Sequence, residues 1–108
     1  MLMPLINLKK DVPVLVNAED IAAVRMLPSR RLVAIGVDGT EYRFPTKLED
    51  CLSILSVYGF VQVEKGCIAN AEKAARYDKL RRQLHFEING HPTVSIGVSR
   101  RLSRNIED

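Results

Sequence analysis

Basic residues in this chain gather where runs of alternating apolar residues break off. Arg30 and Arg31 follow Pro28-Ser29, Lys65 precedes Gly66, and Ser99 leads into Arg100, Arg101 and then Arg104. A guanidinium is a planar fork that pairs with guanine O6 and N7 or with phosphate, and a neighbouring glycine or serine lets backbone amides approach phosphate oxygens. Strands that stop at such tips suit a protein that holds cations out toward phosphates and base edges. On residue types alone two readings stand. Either the three tips converge on one anionic partner, or they are three unrelated positions that favour solubility.

Other chemistry is sparse. His85 and His91 are six residues apart across a turn, with no Cys or carboxylate at ligand-like spacing, so no metal site is expected. Cys51 and Cys67 do not make a disulfide framework and are expected as buried free thiols. Cys67 paired with a histidine would imitate a nucleophile and base, but no motif supports that pair. The chain has neither a P-loop nor a glycine-rich dinucleotide fingerprint. The expectation is a protein that is not an enzyme and needs no cofactor or small-molecule substrate.

Charge sharpens the picture. The net charge of +3 is unevenly spread: residues 1–72 carry 8 Lys/Arg against 9 Asp/Glu, and residues 73–108 carry 8 against 4. The C-terminal third is therefore the candidate surface for an anionic partner, although a solvated basic face fits the charge equally well. With 108 residues, 46% hydrophobic and 27% charged, the chain is expected to form a single domain spanning residues 1–108. No apolar stretch approaches the roughly 20 residues of a membrane span, and Met1 to Ile6 lacks the basic start of a signal peptide. A cytoplasmic protein with no membrane contact is expected.

The elements that must position these residues are mostly strands. Val12, Val14 and Val16 alternate, and Pro13 points to a sheet edge or a strand start. Ala18 to Met26 reads equally as a strand or a short helix. Leu32 to Val37 and Tyr42 to Phe44 form a hairpin about Asp38-Gly39, whose residue types suit positive φ. Thr46 and Glu49 have the spacing of a capping box, and Leu48, Cys51, Leu52 and Leu55 the spacing of an amphipathic helix over residues 47–58 that stops at Gly59. Val61 and Val63 restore the two-residue period, and Lys65-Gly66 permits a turn before Cys67-Ile68-Ala69. Ala71 to Arg76 has room for one helical turn. Gln83 to Ile88 and Thr93 to Val98 form a second hairpin about Asn89-Gly90, with Leu84, Phe86, Ile88, Val94, Ile96 and Val98 inward. His85 is expected on the solvated face of that hairpin and His91 in its turn. Ser99 is placed to cap a short C-terminal helix carrying Leu102 and Ile106. The fold class expected is mainly β, a β-rich α+β domain with one clear helix.

Phe60 through Asn70, followed by Val98-Ser99-Arg100-Arg101 and set around a Leu-rich helix, resembles the LytTR DNA-binding domain, the output module of bacterial response regulators. The family pattern Phe-x-x-x-His-x-Ser-x-x-x-Asn fits without gaps and ends at Asn70. Glu64 and Gly66 stand where the family usually has His and Ser. The resemblance implies small antiparallel sheets side by side, with loops and strand ends that enter successive major grooves. It makes Arg30, Lys65 and Arg100 the base-reading sites, gives Ser99, Arg101 and nearby backbone the phosphates, and leaves Asn70 structural. Arg31, Gly66 and Arg104 complete the candidate DNA-binding set. The partner implied is duplex DNA in a promoter region, with two repeated half-sites and a homodimer on DNA within a two-component system. Because Glu64 would repel phosphate unless paired, an alternative is a LytTR-like protein-interaction module that has lost DNA recognition and uses a strand edge.

Overall fold

The computed structural model describes residues 2–44 and 48–107. Its strands are β1 (Leu2–Asn7), β2 (Val12–Asn17), β3 (Ile21–Met26), β4 (Leu32–Gly36), β5 (Glu41–Phe44), β6 (Phe60–Glu64), β7 (Cys67–Asn70), β8 (Arg76–Asp78), β9 (Gln83–Ile88) and β10 (His91–Gly97). Helix α1 spans Leu48–Leu55, and single 3-10 turns cover Ala18–Asp20, Ser56–Tyr58 and Ser103–Asn105. Seven strands form one sheet in the order β2-β1-β5-β4-β3-β7-β6, and three form a second in the order β10-β9-β8. Every pairing is antiparallel. The mainly-β architecture with adjacent antiparallel sheets is what the chain forms.

The larger sheet is covered on both faces. On one, Val24, Leu32, Ala34, Phe44, Phe60 and Ile68 pack with Cys51 and Leu55 of α1. On the other, Ala23, Val63, Cys67 and Ala69 pack with Leu84, Phe86 and Ile96 of the three-stranded sheet. This explains why residues 18–26 show no clean alternation. A strand buried on both sides reads as a continuous apolar run, here with alanines where the second sheet approaches. A bulge between Ile21 and Ala23 also turns Ala22 and Ala23 into the same cluster, which breaks the two-residue period.

Several local expectations meet their physical limits. Strand β2 lies at a sheet edge, as Pro13 requires. β1 precedes it with Met3 and Leu5 buried, a strand the sequence reading does not contain. The helix is α-helical only to Leu55; its end tightens to a 3-10 turn before Gly59, which takes φ of 89° and donates to the Ser56 carbonyl. The capping box rests on Thr46, which lies outside the described residues. At Asn89-Gly90 both residues have positive φ, as expected, but at Asp38-Gly39 only Gly39 does. There Asp38 instead accepts the Thr40 amide through Oδ1, giving a wider turn. Ala71 to Ala75 makes no helical turn; the Lys73 amide bonds the Asn70 carbonyl and the chain enters β8. Ile88, expected inward, is 36% exposed because the hairpin end overhangs the core. The short C-terminal helix is a single 3-10 turn, with Ser99 Oγ accepting the Leu102 amide just before it.

Candidate nucleic-acid interface

Antiparallel register decides which turns share an end of the sheet. Residues 27–31 connect β3 to β4, and Lys65-Gly66 connect β6 to β7. Because β3 pairs with β7, the Met26 amide donates to the Gly66 carbonyl at 2.7 Å, and the Met26 side chain lies against Gly66. The two turns stand side by side, two strand spacings apart or about 10 Å. Within the first, Arg30 N bonds the Leu27 carbonyl and Leu27 N bonds the Arg31 carbonyl. Arg30 is held at φ of 68°, the left-handed region that L-residues seldom adopt outside tight turns. Both arginine side chains are exposed.

The third tip reaches the same end by a different route. Consecutive amides beyond β10 bond in different directions, Val98 N to the Arg82 carbonyl at 2.8 Å and Ser99 N to the Val63 carbonyl at 2.7 Å. The segment after Ser99 is then lashed to β6. Asn105 Nδ2 donates to the Gln62 carbonyl, Gln62 Nε2 donates to the Lys65 carbonyl, and Ser103 Oγ donates to the Arg100 carbonyl. Arg30, Arg31, Lys65, Gly66, Ser99, Arg100 and Arg101 are thereby brought to one end of the molecule. Arg104 lies apart from the tips, exposed on the 3-10 turn that packs along β6.

Glu64 sits among these cations. A Cβ added at Gly97 would come within 3.3 Å of Glu64 Oε1, so the missing side chain at Gly97 leaves room for the carboxylate. Among the described residues the ion pair formed is Lys79–Glu107, so Glu64 has no cationic partner. The pairing with Lys65 or Arg100 that would neutralise it does not form.

The sequence reading missed a fourth basic turn. Lys79, Leu80, Arg81 and Arg82 link β8 to β9, and the Arg82 carbonyl that receives Val98 N fixes this turn beside the Ser99 tip. The available signal was Asp78 ahead of three cations, an arrangement that favours a turn closed by the aspartate. Asp78 Oδ1 does accept the Arg81 amide at 3.0 Å, and this bond holds its carboxyl below the usual carboxylate range.

Residues with reactive potential are otherwise committed to the core. Burial pushes the Cys51 thiol up to about 12, reinforced by the Asp50 charge. Burial likewise raises Cys67 to about 11 against the opposing pull of Arg25. Neither is a nucleophile at neutral pH. His85 is half-buried rather than solvated; its Nδ1 lies 2.8 Å from Ser95 Oγ across the strand pair and its Nε2 has no partner. His91 is exposed at the start of β10. Asn70 is buried, and its Nδ2 reaches the Ile21 carbonyl at 3.4 Å while Oδ1 has no partner. No group of His, Cys, Asp and Glu suited to a metal is present among the described residues. No described helix is long and apolar enough to cross a membrane.

Residues 11–108 match the family model of the LytTr DNA-binding domain. The chain belongs to the LytTR family. No curated protein matches the sequence. As a LytTR domain the chain is a DNA-binding module of a kind found in regulators, in a family defined by binding and not by catalysis. Within this LytTR fold, Glu64 ends β6 and Gly66 lies in the turn that follows it, between the other basic tips.

Proposed function

We propose that residues 1–108 act as one unit that binds duplex DNA sequence-specifically, as the output domain of a bacterial response regulator working in the cytoplasm. In this reading Arg30, Lys65 and Arg100 reach base edges in the major groove. Arg31, Gly66, Ser99 and Arg101 hold phosphates, and Arg104 adds positive field behind them. The observation that supports it is the shared location of three basic tips, tied by the Met26–Gly66 and Ser99–Val63 backbone bonds. Two hydrogen-bonded hairpins and a lashed C-terminal segment hold cations at set spacings, and rigid spacing is what base readout requires. The longest dimension of the molecule is 38 Å, against a helical repeat of roughly 34–36 Å, so one copy covers about one turn of DNA. A promoter with two repeated half-sites would take two copies.

Selection of bound duplexes from a random pool tests the reading directly. A recurrent motif, and an affinity falling with salt at a log–log slope of about −0.9 per phosphate neutralised, are expected. Absence of any salt-sensitive duplex binding at low ionic strength sinks it. Unpaired Glu64 favours a second reading, a LytTR-like interaction module that has lost DNA recognition. That reading requires a protein partner to be recovered by the wild-type domain under conditions where no duplex is retained.

A further inference from the structure

We propose that the turn Lys79–Arg82 is a fourth contact to DNA, in which Lys79 and Arg81 meet phosphates beyond the base-reading tips and Leu80 lies against the minor-groove edge. The inference rests on the DNA-binding reading above and extends its footprint. Three observations carry it. Leu80 is 91% exposed at the tip of a turn flanked by cations. A leucine that exposed adds nothing to the core, whereas a small apolar wedge between basic residues is a recurrent device for minor-groove contact. The turn is shaped from within, by the Asp78 Oδ1 bond to the Arg81 amide and by Arg82 at φ of 53°. Its base is anchored, because Tyr77 packs on the second core cluster and the Arg82 carbonyl accepts Val98 N.

Position supplies the rest. Val98 and Ser99 bond the β8–β9 turn and β6 with consecutive amides, so this turn flanks the Ser99–Arg101 tip on the side away from Lys65. A duplex lying across the three tips continues toward it, and a groove edge comes next once the major groove has been read. Lys79 contacts Glu107 at 3.4 Å, but the lysine side chain is 81% exposed. Such a pair is weak and yields readily to phosphate.

The test uses fluorescein-labelled duplexes carrying the selected motif, one with the motif alone and one extended on each side by about half a helical turn, or about 5 base pairs. The wild-type domain is expected to bind the extended duplex more tightly. The double substitution Lys79→Ala/Arg81→Ala should abolish that gain and reduce the salt slope by about 1.8, two phosphates' worth. Leu80→Ser should weaken binding to the extended duplex several-fold with the slope unchanged, and its full exposure keeps folding out of the comparison. Arg100→Ala should weaken binding to both duplexes while the gain from extension persists. A double variant that retains the flank gain and the full slope overturns the inference and leaves the DNA reading standing. A wild-type domain that binds neither duplex overturns both.

Discussion

The two ends of the larger sheet close their turns in different ways. At one end lie the β1–β2 turn, the Ala18–Asp20 turn and the β4–β5 turn, and each is closed by its own side chain. Asn7 Oδ1 accepts the Lys10 amide, Asn17 Oδ1 accepts the Glu19 amide, and Asp38 Oδ1 accepts the Thr40 amide. At the other end the first two turns are closed by backbone bonds among Met26, Leu27, Arg30, Arg31 and Gly66. Where side chains do help there, they belong to Gln62, Asp78, Ser99, Ser103 and Asn105, never to the cations. One end closes its turns with Asn and Asp side-chain oxygens. The other leaves Arg30, Arg31, Lys65, Arg100 and Arg101 exposed, with Lys79 paired to Glu107, and the proposed function makes that difference one between a structural end and a binding end.

The sharpest break between the ends comes from Arg100→Ala and Arg30→Ala. Each should cost about 1–3 kcal/mol of binding at the selected site if it reads a base, while thermal unfolding stays within a degree or two of wild type. Competition with unrelated duplex separates roles, since a base reader loses specific binding and a phosphate contact loses both equally. At the opposite end the outcome inverts. Asn17→Ala and Asp38→Ala should each lower folding stability by about 1 kcal/mol in urea titrations, because an unmet turn amide replaces a satisfied one, with DNA affinity unchanged. A loss of DNA affinity without a loss of stability at Asp38 would overturn the division between the ends.

Much of this division is visible in the sequence, and its gaps have physical causes. Arg30, Lys65 and Arg100 stand out because each follows an apolar run that stops at small or turn-forming residues. The two hairpins and the helix are legible for the same reason, since each buries one face and so keeps its period. β3 is not, because both its faces are covered and the bulge at Ala22 erases the alternation. β1 escapes notice because it is an ordinary short strand whose partner, β2, is at the edge. The fourth basic turn is hidden because Leu80 between cations looks like part of a strand or helix until the hairpin exposes it. Nor does sequence say that Glu64 lacks a partner, since Lys65 and Arg100 are near enough in order to suggest one.

That unpaired carboxylate gives a finer test of the proposed binding end. Glu64→Gln keeps the shape against Gly97 and removes one negative charge from among the cations. Affinity for duplex should rise by roughly 0.5–1 kcal/mol at low salt, and the gain should shrink as salt screens it. A fall in affinity confined to the selected motif would instead show that the carboxylate accepts a hydrogen bond from a cytosine N4 amino group, which is its natural base partner.

The smallest expected effect is the control that gives the others meaning. Lys9 and Lys10 are as exposed as the arginines, but they sit in the β1–β2 turn with Asp11, and the neighbouring β4–β5 turn adds Asp38 and Glu41. Charge alone would predict that removing two lysines weakens DNA binding about as much as removing two arginines. Position predicts otherwise, because these lysines are at the end of the sheet that faces away from the tips, about a strand length or roughly 17 Å off, beyond a Debye length of about 8 Å at physiological salt. Lys9→Ala/Lys10→Ala should therefore change affinity by no more than about 0.3 kcal/mol and leave the salt slope intact. If it instead lowers the slope by as much as Lys79→Ala/Arg81→Ala does, the domain responds to net charge and the two ends are not functionally distinct.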